Sequence, residues 1–164
     1  MPRNNFDPRN KFMSLDQAEN LAEFLRGLCH PPKIGLVNGC FDLFHEGHYA
    51  FLRVCKNRIK RGCLFVAVNT DTSIREIKGD GRPVVNFERR IRTIEDLYFV
   101  DFVIPIFDAT AASVIRAIKP NIIFRGHDQI STCDETVAII GVDAQVYPLE
   151  KYGDMSTTGK IAAR

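Results

Sequence analysis

No two of the five cysteines are spaced C-x-x-C, and their number is odd (Cys29, Cys40, Cys55, Cys63 and Cys133). That pattern speaks against a disulfide framework and fits a reducing compartment. No apolar run approaches the length needed to cross a bilayer, and no membrane partner is expected from the sequence. The polar stretch 1–11 has no apolar core of the kind a secretory signal carries. A cytoplasmic location is therefore the expectation. The charge excess is small too: 22 basic against 20 acidic residues leave a net charge of +2. Such a balance gives no reason to expect nucleic acid as the main partner. The chain also lacks a G-x-S-x-G nucleophile elbow and a Walker A sequence, which removes the commonest serine-hydrolase and P-loop readings. There is no internal repeat and no low-complexity tract.

What remains is a chain of 164 residues, long enough for one domain with a real core and too short for two ordinary ones. Residues 1–12, with two prolines and three asparagines, read as a flexible N-terminal arm. Residues 13–164 read as the domain. Ser14 and Gln17 form a capping box for a helix whose apolar stripe runs Leu15, Ala18, Leu21, Ala22, Leu25 and Leu28, stopped by Pro31–Pro32. Apolar runs predict strands over 33–37, 63–68, 102–106, 121–124 and 145–148. Between them, helical spacing predicts helices over 49–61, 72–77, 87–98, 108–118 and 132–140, with Gly62 ending the first and Asn86 capping the third. A last short helix is expected from Ser156. Strands that alternate with helices predict an α/β domain: a Rossmann-like, three-layer arrangement around a parallel five-stranded sheet. In such a sheet, ligands sit beyond the carboxyl ends of the strands. Four polar clusters then share one rim: 39–48, 69–78, 125–128 and 151–158.

The first cluster is the most informative. Asn38-Gly39-Cys40-Phe41-Asp42-Leu43-Phe44-His45-Glu46-Gly47-His48 follows a buried strand and opens a helix. Free N–H groups and the positive end of a helix dipole make such a place an anion site. His45 and His48, three residues apart, share a turn there. With Lys78 nearby and hydroxyl groups at helix starts, the set suits a polyphosphate. Phosphoryl or nucleotidyl transfer asks for alignment and well-placed donors rather than a covalent nucleophile. A zinc site from Cys40, His45, His48 and Cys55 has no usual structural spacing, and no metal ligand set is assigned. Structural readings stand beside the functional ones. Asp42 can hold its turn through an Asx bond or act at the site. Lys78 can be an ordinary surface lysine, and Arg82 and Arg90 can pair with Asp80 or Glu88. Ser156 can be a plain cap, His127 can fill a loop or contact substrate, and Cys40 can be small packing.

The string from Gly39 to His48 resembles the H-x-G-H signature of the nucleotidyltransferase superfamily that includes the cytidylyltransferases. The resemblance extends to Asn69-Thr70-Asp71, Ile77-Lys78-Gly79, Gly81-Arg82-Pro83, Arg90 upstream of Val100–Asp101, Arg125-Gly126-His127-Asp128 and Ser156-Thr157-Thr158, and so covers about 33–161. Asn38 before Gly39-Cys40-Phe41-Asp42, with Lys78-Gly79-x-Gly81-Arg82-Pro83, is most similar to the adenylyltransferase domain of bacterial ADP-heptose synthesis. The usual K-G-G-D-Y of that group is here Arg125-Gly126-His127-Asp128-Gln129. The resemblance implies transfer of a nucleoside monophosphate from a nucleoside triphosphate, ATP first, to a sugar phosphate such as heptose 1-phosphate. CTP-dependent transfer to glycerol 3-phosphate, and a nucleotide-binding module without catalysis, are the alternatives. His45, His48 and Lys78 take the catalytic places. Gly39, Cys40, Phe41, Asp42, Gly47, Arg90, Gly126, Asp128, Ser156, Thr157 and Thr158 take the nucleotide-binding ones. Asn69, Asp71, Arg82 and His127 fall where the acceptor or specificity contacts would lie. Mg²⁺ is expected to arrive with the triphosphate, and the family implies a homodimer.

Overall fold

In a computed structural model of the chain, residues 10–126 and 132–149 are described. They form a five-stranded parallel sheet with strand order β3-β2-β1-β4-β5. The strands are β1 (Ile34–Gly39), β2 (Cys63–Asn69), β3 (Phe102–Ile106), β4 (Ile122–Gly126) and β5 (Gln145–Leu149). The helices are α1 (Leu15–Arg26), α2 (Glu46–Ile59), α3 (Asp71–Lys78), α4 (Phe87–Glu95), α5 (Ala112–Ile118) and α6 (Cys133–Gly141). The three-layer α/β arrangement expected from the alternation is what forms. None of these helices is long and apolar enough to cross a membrane.

Side chains alternate across each strand, and so build two cores. Leu36, Phe65, Ile104 and Ile123 face Ala18 and Ala22 of α1, Ile115 of α5 and Ala138 of α6. Val37, Val66, Val103 and Phe124 face Leu52 and Ile59 of α2 and Ile91 and Ile94 of α4. The chain winds outward from β1 through β2 to β3, then returns to place β4 on the other side of β1. The strand order reverses there, so the exits of β1 and β4 diverge and leave a crevice.

Several boundaries differ from those read from sequence. The Ser14–Gln17 capping box forms, but α1 ends at Arg26, because the Gly27 N–H closes the last turn onto Glu23 and Phe24. α2 begins at Glu46, with His45 as its cap. Asn69 is the last residue of β2, in register with Ile106, rather than part of a turn. Arg125 and Gly126 likewise extend β4. α4 stops at Glu95, where Asp96 closes it, and Tyr98 stands exposed on the way to β3. α5 starts at Ala112 rather than 108. The Asp108 carbonyl accepts the Ser73 hydroxyl, and its carboxylate accepts the Ser113 hydroxyl, so both acceptors serve a loop. Lys11 and Phe12, expected within a loose arm, are bonded to the β3 edge. The Lys11 carbonyl accepts the Val103 N–H, the Met13 N–H donates to the Val103 carbonyl, and Phe12 pairs with Val103 along the β3 edge.

Gly62 does not cap α2. Lys60 does, at φ 50°. The glycine is needed for a close approach instead: a Cβ on it would lie 2.3 Å from the Lys33 carbonyl oxygen and 3.0 Å from that of Ile59. Both obstacles are backbone. Gly62→Ala is expected to destabilise the fold by about 2–4 kcal/mol in urea unfolding. A loss below about 0.5 kcal/mol, the range of neutral surface changes, would contradict this account of the α2–β2 corner.

Candidate active site

The site begins where β1 runs out. Phe41 and Leu43 both take left-handed backbone conformations, at φ 49° and 50°. Non-glycine residues adopt that region at a cost and hold it only where surroundings enforce it. Here Phe41 is buried, with its ring against Gly39, where an added Cβ would meet the ring at 3.2 Å. The turn delivers the chain into α2 with His45 as N-cap, its Nδ1 accepting the Gly47 N–H at 3.1 Å. A neutral His45 bonded in this way carries its proton on Nε2. His48, one turn along, stacks on His45 with ring centroids 3.9 Å apart and planes 25° from parallel. Phe41 meets His48 edge-on and Phe44 lies against it, each at 5.4 Å. The two imidazoles thus sit face to face at a helix N-terminus, between aromatic walls.

Below the turn lies a buried cation. Arg90 of α4 is 2% exposed. Its Nη1 donates to the carbonyls of Cys40 and Asn69, both at 2.7 Å, its Nε to Val85 at 2.9 Å, and its Nη2 to Asp71 at 2.7 Å. Arg90 therefore clamps the exits of β1 and β2 and the start of α3 to the loop ahead of α4. Its acidic partner is Asp71 rather than Glu88. Asp42 plays a similar part above. Its carboxylate accepts the N–H groups of Val84 and Val85 and the Arg82 guanidinium, the last at 2.7 Å. The Asp42–Arg82 pair pins the glycine-rich loop to the turn, so Arg82 takes Asp42 rather than the alternative partner Asp80. Burial opposes charge on Asp42, but the two N–H groups and Arg82 prevail and hold its carboxyl below the ordinary value.

The remaining sequence-predicted residues divide clearly. Gly47 is buried in the first turn of α2. Lys78 ends α3, exposed, close enough to Cys40 for its charge to favour the thiolate, although burial pushes that thiol up on balance. Asn69 is buried and donates to Ser73, whose hydroxyl donates to the Asp108 carbonyl. This chain fixes the β2 exit to the β3–α5 loop. Gly126 ends β4 beside the crevice. His127, Asp128, Ser156, Thr157 and Thr158 lie outside the described residues. Sequence reading missed a buried ion pair next to Gly126. Glu135 of α6 accepts from Arg125 at 3.0 Å and from the Ala111 N–H at 2.9 Å, and so joins β4 to the starts of α5 and α6. The only sequence hint was Glu135 at the capping-box position after Thr132. Among the described residues, no group of three or more His, Cys, Asp or Glu side chains gathers as a metal site.

A parallel sheet that ends in an H-x-G-H turn on a helix N-terminus defines a nucleotidyltransferase-type domain. Residues 36–160 match the cytidylyltransferase-like family, and the chain belongs to that family. It is 39% identical over 132 residues to the bifunctional protein HldE of Alkalilimnicola ehrlichii, a match that covers 80% of this chain and 26% of that protein. The HldE of Shewanella baltica is 35% identical over 130 residues, covering 79% and 27%. The chain thus spans about a quarter of the length of these curated relatives. Among solved structures, a lipopolysaccharide core biosynthesis protein from Thermoplasma volcanium superposes with a TM-score of 0.63 at 25% identity, over 74% of this chain and 98% of that one. A pantoate-beta-alanine ligase from Francisella tularensis shares the fold alone, with a TM-score of 0.59 at 12% identity, over 92% of this chain and 72% of that one.

The depressed Asp42 carboxyl has a pH consequence. A carboxyl held below its unfolded value contributes stability that is present above that value, near 3.9, and is lost as pH falls through the folded one. Wild type should therefore exceed Asp42→Asn in urea midpoint at neutral pH, and the gap should shrink as pH drops below about 4. A gap that stays constant across this window would contradict the assignment.

Proposed function

We propose that the chain transfers a nucleoside monophosphate from a nucleoside triphosphate to a sugar phosphate in heptose activation, with ATP as the donor. The observation that carries this reading is the stacked His45–His48 pair on the α2 N-terminus. A triphosphate seated there meets oriented backbone N–H groups, the helix dipole and two imidazole donors at once. An oxygen of the acceptor phosphate attacks the α-phosphorus in line. The bond from the α-phosphorus to the β-bridging oxygen breaks, and pyrophosphate leaves with that electron pair. Charge accumulates on the non-bridging and leaving oxygens, and there donors from His45 and His48 act most strongly. Lys78, at the mouth, adds a positive charge for the phosphates. Asp42 and Asp71 are engaged by Arg82 and Arg90, so magnesium enters as part of the nucleotide substrate, held by phosphate oxygens and water. Ser156, Thr157 and Asp128 are assigned to the nucleotide, and His127 to the acceptor, on the family resemblance.

The HldE relatives and the Thermoplasma neighbour, named for lipopolysaccharide core biosynthesis, support a heptose phosphate as the acceptor. Pyrophosphate release tests it, with each nucleoside triphosphate paired in turn with sugar and polyol phosphates. Release is expected with ATP and heptose 1-phosphate. Release only with CTP and glycerol 3-phosphate would overturn the substrate reading, and tight nucleotide binding without release would overturn catalysis. His48→Ala should lower kcat by on the order of 10²–10³-fold, a loss measured on protein whose circular dichroism spectrum is that of the folded wild type although removal of the ring contacts lowers the unfolding midpoint.

A further inference from the structure

A parallel sheet has two ends, and the site uses one. At the other, the strands begin and the helices finish. Backbone bonds define this rim: the Cys63 N–H donates to the Lys33 carbonyl and the Asn121 N–H to that of Ile34, both at 2.8 Å. The Arg26 guanidinium donates to the Ile118 carbonyl at 2.7 Å, which brings the end of α1 onto the same rim.

Three segments meet there, 26–34, 56–63 and 116–121, and none contains an aspartate or glutamate. The first supplies Arg26 and Lys33. The second supplies Lys56, Arg58, Lys60 and Arg61, and the third Arg116 and Lys119. Lys33, Lys60, Arg61 and Lys119 are exposed. Glu23, in the last turn of α1, is an exposed acidic residue at this end, and the others stand at its margins. Asp101 begins the β3 side and is paired with Lys56, Asp96 closes α4 beside it, and Asp143 precedes β5. The chain's net charge is only +2, so the basic excess is local.

Helix dipoles account for part of this. Basic residues in last turns are favourable there, which covers Arg26, Arg58 and Arg116. They do not account for Lys33 or Arg61, which lie outside helices. Nor do they explain why Lys60 and Lys119 occupy caps at φ 50° and 47°, positions that glycine fills without strain. Large apolar side chains are exposed at the same helix ends: Phe24 in the last turn of α1, Leu28 just after it, and Ile140 in the last turn of α6. Single-stranded nucleic acid is gripped by aromatic faces set beside cations, whereas two of the three exposed apolar side chains here, Leu28 and Ile140, are aliphatic, and aliphatic groups among cations match an anionic bilayer interface.

We propose that the strand-start rim, centred on Lys33, Lys60, Arg61 and Lys119, docks on the surface of an anionic phospholipid bilayer. The active site then faces away from the lipid, open to its substrates.

Vesicle co-sedimentation of the full chain tests this. The protein should sediment with phosphatidylcholine vesicles containing phosphatidylglycerol, stay in solution with pure phosphatidylcholine, and dissociate as salt is raised. Lys60→Glu/Arg61→Glu should weaken vesicle binding about tenfold or more while its circular dichroism melt matches wild type. If that variant is unstable, Lys119→Glu, at the cap of another helix, should show a smaller loss in the same direction. No sedimentation of the folded wild type with phosphatidylglycerol vesicles would overturn the proposal. So would equal binding to both vesicle types, unchanged binding by a folded charge-reversal variant, or retention by single-stranded RNA without retention by vesicles.

Discussion

One buried guanidinium holds this site together. Arg90 gives up its hydration and recovers it from three backbone carbonyls and one carboxylate. A buried charge is tolerated only when it is paired and hydrogen-bonded, and here the partners belong to three separate segments, at Cys40, at 69–71 and at Val85. Two of them, Cys40 and Asn69, lie at the exits of adjacent strands. A parallel sheet sets the spacing of those exits but not the direction in which the chain leaves them. Arg90 sets the direction.

Fixed exits make the next step possible. Phe41 and Leu43 can keep left-handed conformations because the chain is anchored before them by Arg90 and beside them by the Asp42 cluster. That turn aims α2 so that its first N–H groups and both imidazoles share one opening. The interactions are layered. Arg90 supports the turn, Asp42 ties the 82–85 loop down over it, and Glu135 fixes the far side of the crevice through Arg125. Each acts by fixing backbone around the opening that His45 and His48 share.

Much of this was legible in the sequence. Apolar runs located all five strands, and the capping pattern at Ser14 and Asn86 fixed where α1 and α4 begin. The H-x-G-H string identified the turn and the family. The rest was not legible, for physical reasons. Arg90 bonds mainly to carbonyls, which every residue possesses, so its role leaves no mark on its partners. Asp42 and Arg82 are forty positions apart and meet only once the loop folds back. Helix starts such as Ala112 are set by where Asp108 spends its acceptors, a tertiary matter. Gly62 looked like a helix stop but answers to the Lys33 carbonyl across the sheet. His127, Asp128 and Ser156 to Thr158 were read by resemblance and lie outside the described residues.

The central claim is that the Arg90-braced turn receives the triphosphate on His45 and His48. Imidazole nitrogen resonances report on that contact directly. In ¹⁵N-histidine-labelled protein titrated with ATP and magnesium, the His45 and His48 signals should move together and saturate with nucleotide, while His30, at the other end of the sheet, stays put. Saturable nucleotide binding that leaves both His45 and His48 unmoved would contradict the account.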